Sequence, residues 1–327
     1  MIMHEYFDVP MHVPLKILIV TGMYPEPSRP GYGAFVFHQV DHLRRLGHIV
    51  DVLPIRGYLS KFNYFKAAFA VRRMTQRQHY DIVHAHYGLS GLPALFRAHT
   101  PLVVTLHGSD VLTSRLERLL SLLACKFSDA VITVSRRMAA VIPGTIIPTG
   151  VDLAVFKPIS RGIARRRLGL PQTRRIVLFP FDPKRTVKRY ALAAEATQIL
   201  RDKGHDIDLL IVSTVPSNAM PDYYNAADAM ILCSMSEGSP TVVKEALACE
   251  LPVVSTDVGD VRELAERVRK ILICDSTPEA LADGLEKVLG DPLGFARPER
   301  DQLHTYDQRL TAAFIVGVYD RTLTNTE

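Results

Sequence analysis

Short apolar runs return along this chain at intervals that leave room for one helix between each pair. Residues 16–20, 49–54, 81–86, 102–106, 130–134 and 145–148 read as strands, with helical spacing between them, the first helix spanning 34–46. Strand and helix alternating at this interval build βαβ units, whose parallel strands need a sheet covered on both faces. The pattern halts at a basic stretch punctuated by Gly and Pro, RGIARRRLGLPQTRR, whose arginines read most simply as a solvated face. It then restarts with strands at 175–180, 208–213, 229–233, 252–255 and 271–274 and helices at 188–203 and 278–289. A chain of 327 residues exceeds one ordinary core. We therefore expect an α/β protein of two Rossmann-like, doubly wound sheets facing a cleft. The first domain is expected at 14–157 after an extension at 1–13, where Met11 could serve as an alternative start, and the second at 158–304. Ligands of such sheets bind beyond the C-terminal ends of the strands, so candidate site residues are sought there.

Composition removes several function classes. A net charge of +5 and a pI near 9 favour anionic ligands or an acidic membrane surface without demanding nucleic acid. No nucleic-acid motif is present, so no such partner is expected. The four cysteines are scattered without a C-x-x-C pair and read as buried free thiols suited to a reducing compartment. No signal-peptide core and no run of eighteen apolar residues is visible, so the expected location is the cytosol or the cytosolic face of a membrane. His84 and His86 share one strand face and could hold a metal, but no third ligand is evident, and no metal is expected. The glycines after the first strand do not spell G-x-G-x-x-G, which argues against a nicotinamide site. Gly31 and Gly33 instead precede a helix, where they let backbone N–H groups approach a phosphate or simply form a surface turn.

The most informative stretch is AADAMILCSMSEGSPTVVKEALACELPVVSTDVGDVRE, residues 226–263. A strand at 229–233 leads through a polar turn into a helix, with Ser239 read as its N-cap and Pro240 as its first residue. Such a unit aims free N–H groups and the positive end of a helix dipole at an anion. Glu237 lies in the turn and Glu245 in the helix, and the six steps from Ser239 to Glu245 rise roughly 9 Å. Two acids flanking a helix tip suit a sugar joined through a diphosphate to a ribose. They equally suit a solvated loop glutamate and a surface helix glutamate.

The literal string S-x-x-E-G-S-P-x-x-x-x-E-A-x-A, with flanks YYNAADAMILCS and LPVVSTDVGDVRE, resembles the hallmark of retaining GT-B glycosyltransferases of family 4. The resemblance implies the GT-B fold, with 147–158 joining the domains and a final helix near 309–323, within 305–327, packing back on the first. It implies a metal-independent transfer of sugar from a UDP- or GDP-sugar to a hydroxyl of a glycan or lipid-linked acceptor, with no cofactor. Arg185 and Lys188 would grip the diphosphate, with Lys184 or Arg189 as substitutes, although four cations within 184–189 also suit a solvated turn. Gly31 and Gly33 would stand where the family has a glycine-rich loop. His107, in a segment similar to H-G-x-D, would lie near sugar and acceptor. Gly238, Ser239, Thr241 and Val242 would form the anion-binding helix tip, Glu245 would take the ribose hydroxyls, and Glu237 would face the sugar. Replacing Glu237 or Arg185 by Ala should then lower transfer by orders of magnitude while leaving folding unchanged. Another GT-B activity, an epimerase or phosphorylase, and a catalytically silent sugar-nucleotide-binding subunit are the alternatives. The family usually has glycine where Glu250 stands, and a left-handed backbone there would cost a non-glycine residue roughly 1 kcal/mol. Residues 57–78 interleave Tyr58, Phe62, Phe65 and Phe69 with Lys61, Lys66, Arg72 and Arg73. This helix either lies on an anionic membrane or docks on the sheet through its aromatic stripe.

Overall fold

The computed structural model describes residues 13–112, 114–291, 295 and 300–325. The extension expected at 1–13, with Met11, lies outside the described residues except for Val13. The first half alternates β1 (Lys16–Thr21), α1 (Ala34–Arg45), β2 (Ile49–Pro54), α2 (Phe62–Arg77), β3 (Ile82–His86) and α3 (Gly88–Ala94). It continues through β4 (Leu102–Leu106), α4 (Ser109–Leu112), α5 (Arg115–Lys126), β5 (Ala130–Thr133), α6 (Arg136–Ala139) and β6 (Thr145–Ile146). The second half runs α7 (Arg161–Leu168), β7 (Arg175–Phe179), α8 (Tyr190–Asp202), β8 (Ile207–Ile211), α9 (Met220–Ala226) and β9 (Ala229–Leu232). It ends with α10 (Thr241–Ala248), β10 (Val253–Ser255), α11 (Val261–Ala265), β11 (Ile271–Ile273), α12 (Pro278–Gly290) and α13 (Gln308–Thr324).

Every strand pairing is parallel. The six-stranded sheet has the order β2-β1-β3-β4-β5-β6 and the five-stranded sheet β11-β10-β9-β7-β8. Strands such as β3 and β4 are buried at every residue, because helices cover both faces. Alternate side chains of β1 feed two separate clusters, Ile17 and Ile19 on one face and Leu18 and Val20 on the other. The first of these clusters also takes Ile315, Val316, Val318 and Tyr319 of α13, so the last helix completes the core of the first domain. Burying four such side chains is worth roughly 6–12 kcal/mol before ordering entropy.

The chain thus crosses between domains twice, and the crossings are stitched together. Val151 donates its N–H to the Tyr306 carbonyl at 2.8 Å, and its own carbonyl accepts from Gln308 at 2.9 Å. Five of the six arginines of the boundary stretch are exposed, as a solvated face requires, and Arg165 alone corrects that expectation. Arg165 is 2% exposed and donates to Asp228 Oδ2 at 2.7 Å and to the Ala226, Pro171 and Gln172 carbonyls. Arg161 and Arg175 reach the same carboxylate, so Asp228 ties α7 to β7. All four cysteines are free thiols, with Cys233 and Cys249 buried.

Helix α2 rules out one of its two readings. Its buried stripe is Ala67, Ala68, Val71 and Thr75, small residues that let the helix lie close to its neighbours. Phe62, Phe65 and Phe69 are 59%, 57% and 65% exposed, so the aromatic stripe does not dock on the sheet. No helix among the described residues is long and apolar enough to cross a membrane.

Candidate active site

The C-terminal ends of both sheets open onto one cavity of about 530 Å³ between the domains. Loops after β1, β3 and β4 line one wall, and loops after β7, β8 and β9 with the start of α10 line the other. Gly31, Gly33, His107, Arg185, Lys188, Glu237, Gly238, Ser239, Thr241, Val242 and Glu245 all border it. Lys184 is exposed and does not. Arg189 turns away, donating to the carbonyls of Cys233 and Ser234 and to Ser276.

Glycines bring the two walls together. Gly108, at φ 111°, lies directly against Gly238, and a Cβ on Gly238 would overlap the His107 carbonyl. Only hydrogen in place of a side chain allows the turn after β4 to meet the turn after β9. His107 and Glu237 therefore face one space although they come from different domains. Gly33, at φ 72°, precedes α1, and a Cβ there would overlap the Met23 backbone; Gly31 has room for one beside the Val215 carbonyl.

Lys188 is 5% exposed, its ammonium 4.1 Å from the Phe181 ring centre. It forms an ion pair with Glu237 Oε1, which also accepts from Ser234 Oγ at 2.7 Å. Burial pulls the lysine below its ordinary pKa, against the opposing pull of the Glu237 carboxylate. Arg185 has no ion-pair partner among the described residues, so one cation of this wall is free for a ligand.

At the other end, Tyr224 donates its hydroxyl to Glu245 Oε2 at 2.7 Å. Burial raises the Glu245 carboxyl to about 7, opposed by that hydrogen bond and by Lys244. Between the two acids, α10 begins at Thr241 rather than at Pro240, with Pro240 in the cap position. Ser239 does not cap the helix, which corrects its assigned local role. Its Oγ donates to Asp260 Oδ2 at 2.7 Å and accepts from the Thr149 N–H at 3.2 Å and from Lys244 Nζ at 2.5 Å. Lys244 and Asp260 are 0% and 1% exposed and pair at 2.8 Å. This buried group fastens the helix tip to Thr149, in the first crossing between domains. Thr241 and Val242, the first residues of a helix without a side-chain cap, border the cavity.

Asp110 of the H-G-x-D segment shapes its turn. Its carboxylate accepts from the N–H groups of Gly108, His107 and Gly88, and burial raises it to about 6 against those bonds. His84 and His86 have partners on both ring nitrogens: Tyr319, Thr105, Gln39 and His107. Among the described residues no group of three or more potential ligands is placed to hold a metal. Sequence reasoning missed Tyr87, whose ring lies 4.7 Å from that of His107 and whose φ of 72° is rare for a non-glycine residue. It also missed Tyr224 and the Lys244–Asp260 pair.

The family pattern described as Glycosyltransferase Family 4 matches residues 16–155, and that described as Glycosyl transferases group 1 matches residues 191–291. A putative teichuronic acid biosynthesis glycosyltransferase, TuaC of Bacillus subtilis, is 29% identical over 84% of this chain and 89% of its own length. A D-inositol 3-phosphate glycosyltransferase of Streptosporangium roseum is 26% identical over 84% of this chain and 77% of its own. Among solved structures, sucrose-phosphate synthase from Thermosynechococcus elongatus superposes with a TM-score of 0.78 at 19% identity, covering 96% of this chain and all of that one. Anabaena HepE, solved in complex with UDP and glucose, gives 0.69 at 18% identity over 94% of this chain and all of that one. The chain belongs to the group 1, family 4 glycosyltransferases and carries their GT-B fold.

Proposed function

We propose that this glycosyltransferase moves a hexose from a nucleoside-diphosphate sugar, with uridine or guanosine as the base, to a hydroxyl of a glycan or lipid-linked acceptor. On this reading the configuration is retained and no metal takes part. The observation that carries it is the convergence of Arg185, Lys188, Glu237, Glu245 and the tip of α10 on one cavity between two sheets. A leaving diphosphate gains negative charge as the anomeric carbon becomes positive. Fixed cations and N–H groups aimed at that charge stabilise the transition state without rearranging. Arg185 meets the diphosphate directly. Lys188 bridges it to Glu237, whose carboxylate lies on the sugar side and faces the developing positive carbon. Glu245, held by Tyr224, accepts the ribose hydroxyls. The UDP and UDP-glucose complexes of HepE support a nucleotide-sugar donor.

A panel of UDP-, GDP- and ADP-sugars in a thermal-shift assay tests the donor. A ligand at a hundred times its Kd adds about 2.7 kcal/mol of stability. No shift with any of them refutes the reading. With a donor identified, unchanged turnover in EDTA and an anomeric coupling constant matching the donor's test metal independence and retention.

The same reading places the first domain on an anionic membrane. Beside the exposed phenylalanines of α2, helix α5 exposes Leu116 and Leu119 at 64% and 62%, and Phe96, just past α3 and between them, is 59% exposed. The two helices carry seven cations, Lys66, Arg72, Arg73, Arg77, Arg115, Arg118 and Lys126, against one acid, Glu117, a net +6 on a chain whose total is +5. Aromatic and aliphatic side chains ringed by such charge suit an acidic lipid surface. Co-sedimentation with anionic vesicles that weakens in salt is expected; no binding at low salt refutes it.

A further inference from the structure

Behind His107 stand two more histidines that the transfer chemistry does not use. His84 and His86 lie two residues apart on β3 and are fully buried. Their rings stack at 4.4 Å, and the His107 ring follows at 5.2 Å from His86. Tyr319 of α13 and Thr105 hold the two nitrogens of His84 at 2.6 and 2.7 Å. His86 Nδ1 faces His107 Nε2 at 2.9 Å, and His86 Nε2 faces the side-chain nitrogen of buried Gln39 at 3.3 Å.

The donors in this chain fix its direction. An amide nitrogen only donates, so His86 Nε2 must accept and its proton sits on Nδ1. That proton is donated to His107 Nε2, which leaves the proton of His107 on its own Nδ1. Burial holds His86 at about 3 and His107 well below the ordinary imidazole value, so both rings stay neutral and no second proton reverses the order. Among the described residues His107 Nδ1 has no protein partner, and the ring borders the cavity shared with Glu237 and Arg185.

We propose that Gln39 and His86 are positioning residues that set His107 as a hydrogen-bond donor, through Nδ1–H, to an oxygen of the bound sugar or acceptor. The proposal rests on the cleft being the transfer site. It assigns His107 to recognition of an oxygen lone pair and withholds from it the removal of a proton from the acceptor hydroxyl. Tyr319 and Thr105 hold the plane of the stack, which is how the last helix of the chain reaches the site.

The test reads the tautomer itself. Long-range ¹H–¹⁵N spectra of the intact ¹⁵N-histidine-labelled chain, assigned against His107→Gln, should show His107 protonated on Nδ1 and bare on Nε2. In Gln39→Met, which keeps the bulk and removes the amide donor, an Nε2-protonated population should appear. Its turnover should fall several-fold. An Nε2-protonated His107 in the wild type overturns the proposal, and so does a Gln39→Met protein whose His107 signal does not move. Because the spectrum needs no turnover, failure of the transfer reading would show separately, as absence of activity with the tautomer intact.

Discussion

Glu250 offers a contest between two effects whose sizes can be set against each other. It sits just past α10 with φ 62°, the left-handed conformation that glycine adopts without strain. On backbone grounds alone, Glu250→Gly should stabilise the protein by about 1 kcal/mol. The side chain, however, has an occupation. Its Oε2 lies 3.2 Å from the ammonium of Lys270, which is 2% exposed, and its Oε1 accepts from the Arg300 N–H at 3.0 Å. Removing one member of a buried pair costs about 3–5 kcal/mol, because the other charge is left in a poor solvent. Lys270 also donates to the Phe295 carbonyl, so the low end of that range applies. The expected net effect of Glu250→Gly is a loss of about 2 kcal/mol. The double variant Glu250→Gly, Lys270→Met removes the orphaned charge and keeps the relaxed backbone, and it should recover at least wild-type stability. Urea unfolding of the intact chain, wild type beside single and double variants, measures both values. A single variant more stable than wild type would show that the ion pair contributes nothing and that glycine was simply absent. A double variant as weak as the single one would show that the carboxylate matters for some other partner.

Four further outcomes follow from the site. Glu245 titrates near 7 in the free protein, so its contribution to stability is full below about pH 4.5 and is lost as pH rises through 7. A donor that bonds the ionised carboxylate should therefore bind with release of up to one proton; log Kd should fall between pH 6 and 7 and level off above, and Glu245→Gln should flatten the profile seen by calorimetry. Arg185→Ala should cut turnover by 10²–10³ with little change in the unfolding midpoint, as loss of one preorganised donor does. Glu237→Ala should lose turnover too, but contrary to the sequence expectation it should also lose about 3 kcal/mol of stability, since Lys188 is left buried and unpaired; an unchanged midpoint would refute that. Gly238→Ala should part the domains, because its methyl group overlaps the His107 carbonyl; turnover near wild type would show that the contact is dispensable.

Period and local string carried most of the fold and of the candidate site. The strand-helix alternation sets the two parallel sheets, and the E-x7-E string with its Gly-Ser-Pro turn brings Glu237, Glu245 and the helix tip to the cavity. What stayed illegible are partnerships between residues distant in sequence. Tyr224 and Glu245 are 21 residues apart, Lys244 and Asp260 16, and Gln39 and His86 47. No periodicity links such pairs; only the folded register of separate elements does. Ser239 shows the limit in one residue. Its type and place suit an N-cap, yet Asp260 and Lys244 offer charged partners, and charge-assisted bonds outweigh a neutral cap. Helix α2 shows another: 62-65-69 and 67-68-71-75 are both helical stripes, and spacing alone does not say which faces inward. Small side chains won, because they let the helix backbone approach the sheet.

The Ser239 network has a consequence for how the cleft holds its shape. Two ion pairs cross the rim, Arg136–Glu263 at 3.7 Å and Arg137–Asp257 at 3.8 Å, and all four side chains are at least one-third exposed. Exposed pairs of this length contribute about 0–1 kcal/mol each and weaken in salt. The floor is different. Thr149 Oγ1 donates to the Ser239 carbonyl at 2.6 Å, and Ser239 is bound in turn to buried Lys244 and Asp260. The segment that joins the domains is thus tied at Thr149 to the base of helix α10. On the proposed reading, a ligand seated on the helix tip would be coupled through Ser239 to Thr149 as well. The rim pairs are thus the weaker contacts across the cleft, and the buried floor beneath them is the stronger.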